Sequence, residues 1–265
     1  MSGGLTVPRN ADLLTGLRKR FGELTAMDYW FPVLQSHDVP VPKTVLIPAE
    51  NIPLYAFEDC KLPAHLDELI AKIQLAVIEV GGPPAFLRTG YHSAKHRFVD
   101  SCYLQEDSAE TLVQHIYSIF EYGEMSGELI GPPHDLWVVR EYLPIDSQFT
   151  AFDGLPIARE FRLFCEKGVP VRWQPYWPEK AIADWGYHTP DLPDNWRELL
   201  AQTNALVPEE LKELIRLSRY ACSRPGLVEH DWSIDWLWAS DRGWVCIDMA
   251  EADKSYVSPD VRQIN

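Results

Sequence analysis

Two acidic residues near the C-terminus, Asp235 and Asp248, have the spacing most suggestive of chemistry. Runs rich in Trp, Ile and Val flank a turn over Ser240-Asp-Arg-Gly243, which predicts a β-hairpin. If Ser240 opposes Gly243, the two carboxylates lie directly opposite each other on one face. Because opposed like charges destabilise a sheet, a divalent cation between them is expected. A solvated sheet edge, or an odd-numbered loop that shifts the register, remains an alternative.

Cations that interrupt apolar strand patterns are the second feature that suggests chemistry. A buried charge is costly unless it is paired, and a guanidinium binds phosphate through two parallel hydrogen bonds. If such groups converge, they form a polyphosphate-binding site facing the acid pair. Alternatively, each forms a structural ion pair with a neighbour such as Glu141 or Glu160. The four arginines in question are Arg88, Arg140, Arg162 and Arg172.

Two further patterns concern a loop and a strand. The segment from Thr89 to His96 contains a glycine, a serine and Lys95, a composition that can fold over phosphates with backbone amides and the ammonium as donors. In the first strand of the hairpin, tryptophans alternate with acids. We expect the indoles to pack against the helix predicted over Pro208 to Cys222, the alternative being a platform for sugars or bases.

Composition limits the class of protein. The chain has 265 residues, 46% of them hydrophobic, and a net charge of −15, which argues against binding to duplex nucleic acid or to an anionic membrane surface. Neither a secretory signal nor a membrane-spanning segment is predicted. Five cysteines without metal-binding spacing predict reduced thiols and a cytoplasmic protein, while the oligomeric state cannot be read from the sequence.

The hydrophobic periodicity predicts an α+β chain with helices between mostly antiparallel strand pairs. Predicted helices cover Ala11 to Phe21, Met27 to Ser36, Ala64 to Val80, Ala109 to Gly123, Asp194 to Asn204 and Pro208 to Cys222. Predicted strands cover Lys43 to Ile47, Ala85 to Arg88, Arg97 to Leu104, Leu136 to Leu143, Ile157 to Glu166 and Val169 to Trp177, followed by the hairpin. An aperiodic segment, Asp184 to Asn195, with Trp185 and Tyr187, is predicted to be a surface loop.

These segments together resemble the ATP-grasp superfamily. The resemblance is to its small phage and bacterial members and to the eukaryotic cell-division-cycle relatives that help assemble a translation initiation factor. It extends over about residues 85–255. The matching motifs are Phe86-Leu-Arg88 before Ser93-Ala-Lys95, Val138-Val-Arg140-Glu-Tyr-Leu143, Arg159-Glu-Phe-Arg162-Leu-Phe, Ser233-Ile-Asp235-Trp and Val245-Cys-Ile-Asp248-Met-Ala250.

The resemblance implies two α+β subdomains with ATP between them, preceded by a small N-terminal region. The implied boundaries are 1–83 for the N-terminal region, 84–144 for the first subdomain and 145–265 for the second. Adenine would bind the backbone at Glu141, Tyr142 and Leu143, and the phosphates would bind Arg88, Lys95 and Arg140. Arg162 and Arg172 are the candidate catalytic cations.

For magnesium the resemblance implies Asp235 and Asp248 as ligands. Most relatives have Asn two residues after the second acid, where this chain has Ala250. We therefore expect Glu251, or alternatively Asp253, to be the third ligand, or extra water molecules to complete the coordination.

Three functions follow as hypotheses. The first is an ATP- and magnesium-dependent carboxylate-amine ligase that forms an acyl phosphate and acts on a small-molecule, peptide or protein substrate. The second is an ATP-binding assembly factor or adaptor without ligase turnover. The third is a glycosidase that uses a carboxylate pair without metal.

Overall fold

The computed structural model describes residues 10–49, 52–126, 131–184 and 192–264. Its helices are α1 (Asn10–Phe21), α2 (Met27–Ser36), α3 (Leu66–Val80), α4 (Ala109–Ser126), α5 (Glu179–Asp184), α6 (Trp196–Thr203) and α7 (Pro208–Cys222). Its strands are β1 (Thr44–Pro48), β2 (Ala85–Thr89), β3 (Tyr103–Leu104), β4 (Leu136–Glu141), β5 (Thr150–Ala151), β6 (Leu155–Pro156), β7 (Glu160–Glu166), β8 (Val169–Pro175), β9 (Trp232–Ala239), β10 (Gly243–Glu251) and β11 (Arg262–Gln263). The predicted α+β class with antiparallel pairing is confirmed.

The first sheet has four strands in the order β1, β4, β2, β3. Because side chains alternate along a strand, its two faces differ. Leu87 and Val139 are paired neighbours on one face and belong to the core formed with α3 and α4. Phe86 and Arg140, also paired, lie on the opposite face. That second face carries the cations of the site described below.

The second sheet has five strands in the order β10, β9, β7, β8, β11. One face packs against α2 and α7 in the largest core cluster. Trp232 and Trp236 lie in this cluster, and the Trp236 indole donates a 2.8 Å hydrogen bond to Ser218 of α7. The predicted packing of the tryptophans against the helix beginning at Pro208 is therefore confirmed. The acids of β9 are left on the opposite face.

The described residues of the N-terminal third contact both sheets. β1 hydrogen-bonds to β4 and so completes the first sheet, and α3 packs on that sheet. α2 contributes Met27, Trp30, Phe31 and Leu34 to the core of the second sheet. Both sheets need these apolar surfaces to bury one face, and the N-terminal residues are thereby divided between them.

Two other predictions need correction or limits. The strand predicted over Arg97 to Leu104 is reduced to Tyr103–Leu104, because Lys95–Arg97 form a 3-10 turn and the next residues continue as turns. Much of the loop predicted over Asp184 to Asn195, including Trp185 and Tyr187, lies outside the described residues. In the parts of the chain that are described, no helix is long and apolar enough to span a membrane.

The C-terminal hairpin has the odd-numbered loop that the sequence left as an alternative. Gly243 pairs with Ala239 rather than with Ser240. A β-bulge between Cys246 and Asp248 shifts the register by one residue, so that Asp248 is opposite Asp235 after all. The predicted opposition of the two acids is correct, although the turn from which it was predicted is not.

Phe161 offers a test of the packing in the core of the second sheet. It is fully buried, with its ring centroid 6.0 Å from that of Trp173 and 5.6 Å from that of Trp244. We expect Phe161→Ala to lower the free energy of unfolding by about 3 to 5 kcal/mol, measured by urea denaturation. Val169→Ala on the adjacent strand is the control, since Val169 is half exposed, and should change it by no more than about 0.5 kcal/mol. Similar effects of both substitutions would contradict the described packing.

Candidate functional site

A cleft lies between the two sheets and is lined by residues of both. Its walls come from β2 and β4 of the first sheet, from β7, β9 and β10 of the second, and from the segments that follow β2, β4 and β8. One end is lined by charged groups and the other by apolar groups. The charged lining residues are Arg88, Lys95, Arg140, Glu141, Glu160, Asp235 and Asp248.

The two opposed aspartates are each held by an arginine. Arg162 is paired with Asp235 across β7 and β9, and its guanidinium binds both carboxylate oxygens at 2.7 and 2.8 Å. Arg88 contacts Asp248 Oδ1 at 3.2 Å from the opposite wall. The pair of Arg162 and Asp235 is largely shielded from solvent, with side chains 14% and 5% exposed. In the second pair Arg88 is buried, whereas the Asp248 side chain is 35% exposed. Both ion pairs relieve the repulsion between the two acids.

Arg140 has a different environment. Its guanidinium donates to the carbonyl of Ile247, the extra residue of the bulge, and contacts Met27 Sδ at 3.4 Å. Its Nε atom is buried without a hydrogen-bond partner, and no described carboxylate lies within ion-pair distance of it. Burial and the neighbouring Arg88 lower the pKa of Arg140 to about 9. The cleft therefore contains a buried cation without a directly paired carboxylate, whose charge the nearby Asp248 offsets only in part.

Lys95 and Glu160 form a third charged group. The ammonium lies 3.3 Å from Glu160 Oε1, and it sits over the rings of Tyr176 and Trp177 at 3.8 and 4.8 Å from their centroids. Burial raises the pKa of Glu160 to about 7, outweighing the opposing effect of Lys95. Burial alone would lower the pKa of Lys95, but Glu160, Tyr176 and Asp235 together outweigh it and raise that pKa. The pair thus includes a carboxyl group that titrates near neutral pH.

The rim of the cleft is tied together at Glu141. Its carboxylate accepts hydrogen bonds from Arg242 in the hairpin turn at 2.7 Å and from the backbone amide of Lys43 at 2.7 Å. Ser240 in the same turn donates its amide to the carbonyl of Pro144. One carboxylate therefore joins the first sheet to the hairpin. Because the Glu141 side chain already has these partners, only the backbone of Glu141 is left to bind adenine.

The apolar end of the cleft is aromatic and aliphatic. Tyr142 packs against Tyr103, with ring centroids 4.9 Å apart, and Tyr103 stacks on Phe98 at the same distance. Flat apolar walls of this kind suit a planar base, while hydrogen bonds to it would come from the nearby backbone. The apolar lining residues are Phe86, Phe98, Tyr142, Leu143, Ile145, Leu155, Leu237 and Ile247.

The structure brings most of the predicted site residues together but leaves two apart. Arg88, Lys95, Arg140, Glu141, Tyr142, Leu143, Asp235 and Asp248 line the cleft, and Arg162 reaches it through Asp235. Arg172 and Glu251 border a separate depression with Lys167, His230 and Asp231. The structure does not bring them to the acid pair.

The physical reasons for these two displacements differ. Glu251 follows Asp248 by three residues, so strand alternation turns its side chain towards the other face, against Gly22. Arg172 stacks on Phe164. It is separated from the acids by residues 255–258, whose backbone contacts Arg162 and Gln174.

Sequence reasoning gave Glu160 too small a role, naming it only as an ion-pair partner. A usable signal was present, because Glu160 and Arg162 are two residues apart on one strand and must face the same side. No such signal identified Tyr176 and Trp177 as the aromatic residues around Lys95. They approach the lysine through the pairing of β7 with β8 and the loop that follows.

The charges of the cleft favour an anionic ligand. At the rim, Glu141 is neutralised by its ion pair with Arg242. Of the other charged groups, four cations, Arg88, Lys95, Arg140 and Arg162, face three carboxylates, Glu160, Asp235 and Asp248, so the interior has an excess of one positive charge. The excess rises by one when Glu160 is protonated. In a chain whose net charge is −15, this local reversal concentrates negative ligands at the cleft.

The donor groups also fit magnesium. The described lining offers carboxylate oxygens, which are the ligands that Mg²⁺ prefers, and it contains neither imidazole nor thiolate. The described residues contain no group of three or more His, Cys, Asp or Glu side chains that could hold a metal ion. Asp235 and Asp248 would therefore bind it together with phosphate oxygens and water, as magnesium commonly does at nucleotide sites.

The chain matches no protein-family model and no curated protein. It is similar to several solved structures. The RimK domain protein ATP-grasp from Sphaerobacter thermophilus is 14% identical, with a TM-score of 0.44 over 89% of this chain and 60% of that one. C-terminally truncated Cdc123 from Schizosaccharomyces pombe is 14% identical, with a TM-score of 0.49 over 88% and 85% of the two chains. The D-alanine-D-alanine ligase from Coxiella burnetii is 10% identical, with a TM-score of 0.43 over 86% and 47%.

The solved structures to which the chain is similar thus include ATP-grasp proteins, as the sequence motifs predicted. The chain spans about half the length of the D-alanine-D-alanine ligase and about three fifths that of the RimK domain protein. At these identities the similarities concern the fold, and they do not assign an activity.

The raised pKa of Glu160 predicts a pH dependence of stability. Between the unfolded pKa near 4.5 and the folded pKa of about 7, the folded chain holds more protons, so stability falls as pH rises through this window. Relative to Glu160→Gln, we expect the wild type to lose on the order of 2 to 3 kcal/mol between pH 5 and 8. Urea denaturation of both proteins measures the difference. Glu166→Gln, at the exposed end of the same strand, should parallel the wild type.

Proposed function

We propose that the chain is an ATP- and magnesium-dependent carboxylate-amine ligase that acts through an acyl phosphate. The observation that carries the nucleotide part of this proposal is Arg140, a buried guanidinium without a carboxylate in a cleft with excess positive charge. A polyphosphate would supply the missing anion. The aromatic end beside Tyr142 would take the base, and the backbone from Glu141 to Leu143 would bind its edge.

The ligase part of the proposal rests on the sequence resemblance together with the opposed acids. A carboxylate oxygen of the substrate would attack the γ-phosphorus of ATP, and the bond from that phosphorus to the bridging oxygen would break to release ADP. The amine nitrogen would then attack the acyl carbon, displacing phosphate and losing its proton. Arg88, Lys95, Arg140 and Arg162 would align the phosphoryl group and offset its charge, a mechanism of positioning and electrostatics.

Magnesium, held by Asp235 and Asp248 with phosphate oxygens, would supply further compensation of phosphoryl charge when bound. The protein's own contribution is to hold these carboxylates in position. The fork from Arg162 holds Asp235 in one orientation, and Arg88 does the same for Asp248 from the other wall.

We further propose a cytoplasmic protein whose second substrate is a small molecule, a peptide or a protein. All five cysteines are unpaired thiols, four of them buried, which is consistent with a reducing compartment. The glycosidase alternative finds little support. A glycosidase needs one protonated carboxyl group as its acid, whereas both acids here are ion-paired with arginines.

An assembly factor or adaptor that binds ATP without ligation is the second candidate. Two observations favour it. Ala250, paired with Ser233 on the cleft side of the hairpin, offers no metal ligand. The backbone carbonyl of Tyr256 accepts a 3.4 Å hydrogen bond from Arg162, so this segment occupies space beside the acid pair. Both features leave nucleotide binding intact.

Arg140 provides the test of nucleotide binding. We expect Arg140→Met to weaken binding of MgATP about 10- to 100-fold, since hydrogen bonds to a charged group are lost. The same substitution should stabilise the ligand-free protein by about 1 kcal/mol or more, because it removes an uncompensated buried charge. Calorimetry and urea denaturation measure the two effects. Arg172→Met serves as the control and should leave the affinity unchanged, and an unchanged affinity in Arg140→Met would sink the proposal.

Release of ADP separates the ligase from the binding module. With MgATP and mixed pools of carboxylic acids and amines, a ligase releases ADP and phosphate, and Asp248→Asn should reduce this release about 100-fold or more. Asp253→Asn, outside the cleft lining, is the matched control and should retain the activity. Tight binding of MgATP without ADP release from any pool would favour the assembly factor.

A further inference from the structure

The two proposed metal ligands already have cationic partners in this structure. Both oxygens of Asp235 accept hydrogen bonds from Arg162, and the Asp248 oxygen nearest the first sheet faces Arg88. The Arg162 side chain is 14% exposed and the Arg88 side chain 4%, so neither guanidinium has ready access to water as a substitute partner. The arginines occupy the electrostatic position that a divalent cation would take.

A metal ion arriving alone would meet an unfavourable exchange. It would find two carboxylates and, among the described residues, no third acid, histidine or cysteine to complete a cluster. Binding the carboxylates would also weaken their bonds to Arg88 and Arg162 and leave two guanidinium groups without anions in a buried site. An unpaired buried charge is strongly unfavourable, and Mg²⁺ gives up its water reluctantly.

A nucleotide changes the balance, because its phosphates supply anions at the moment the carboxylates turn to the metal. Arg162 can move from its carboxylate to a phosphate with the same bidentate geometry, and Arg88 can exchange its single contact with Asp248 for one with a phosphate. Arg140, which has no carboxylate to leave, can bind phosphate without any such exchange. The site therefore has one cation free to bind nucleotide and two that become free when the metal enters.

We infer that Arg162 and Arg88 act as stand-in cations for the acid pair, so that the divalent metal enters only together with a nucleotide. The joint entry of metal and nucleotide rests on the proposed nucleotide site. Arg162 and Arg88 are positioning residues in the ligand-free state and phosphate ligands when metal and nucleotide are bound. By linkage, the nucleotide must raise the affinity for the metal by the same factor as the metal raises that for the nucleotide.

The test uses Mn²⁺ as a paramagnetic probe, with free ion measured by electron paramagnetic resonance and the full chain as titrant. We expect no binding by the wild type below about 1 mM Mn²⁺ without nucleotide, and binding at least tenfold tighter when a non-hydrolysable ATP analogue is added. Arg162→Gln should bind Mn²⁺ without nucleotide at least tenfold more tightly than the wild type, because the carboxylate has lost its stand-in.

Two controls make the gain specific. Arg172→Gln removes an arginine from the neighbouring strand and should behave as the wild type. Adding Asp235→Asn to Arg162→Gln should abolish the gained binding, which ties the ion to that carboxylate. If Arg162→Gln fails to fold, judged by circular dichroism, the wild-type titration still decides the matter. Tight binding of Mn²⁺ by the wild type without nucleotide overturns the inference.

Failure of the inference and failure of the proposed function give different results. If the wild type binds the ATP analogue but also binds Mn²⁺ alone, the nucleotide site stands and the stand-in role is wrong. If the analogue does not bind, the proposed function fails, while a gain of Mn²⁺ binding in Arg162→Gln still supports the stand-in role. If neither the nucleotide nor the substitution raises Mn²⁺ binding, the stand-in role is wrong.

Discussion

The compensation of buried charge between Arg162 and Asp235 is the interaction on which the site depends. Two carboxylates opposed on neighbouring strands would repel each other, and a buried arginine without an acceptor would be as unfavourable. The two hydrogen bonds from Arg162 to Asp235 reduce the repulsion and give the arginine an acceptor. They can form because β7 pairs with β9 in the register that sets the two residues side by side.

The fold supplies that register through packing on the opposite face. On β9, Trp232, Ile234 and Trp236 face α2 and α7, and they alternate with Ser233 and Asp235, which face the cleft. A slip by one residue would place Asp235 in the core and Trp236 in the cleft, so the hydrophobic pattern fixes the chemistry indirectly. The first sheet follows the same rule, with Leu87 in its core and Arg88 facing the acids.

Much of this was predictable from the sequence, and the exceptions have physical causes. Hydrophobic periodicity located most helices and strands, and alternation placed Arg88, Arg140 and Arg162 on strands that converge. Periodicity could not show that β1 pairs with β4, since a contact between residues 44 and 140 has no local signature. Glu251 was misplaced because its distance along the strand was not tested against alternation. The environment of Lys95 depends on elements that meet only in three dimensions.

The bulge at Ile247 gives the hairpin two independent halves. Pairing near the turn follows one register and pairing near the acids follows another, with the unpaired carbonyl between them taken by Arg140. A change of one residue in the turn, which surface loops commonly undergo during evolution, can thus be absorbed before it reaches Asp248. The arginine holds the boundary in place. The register at the tip of the hairpin is therefore separate from the register at the carboxylates.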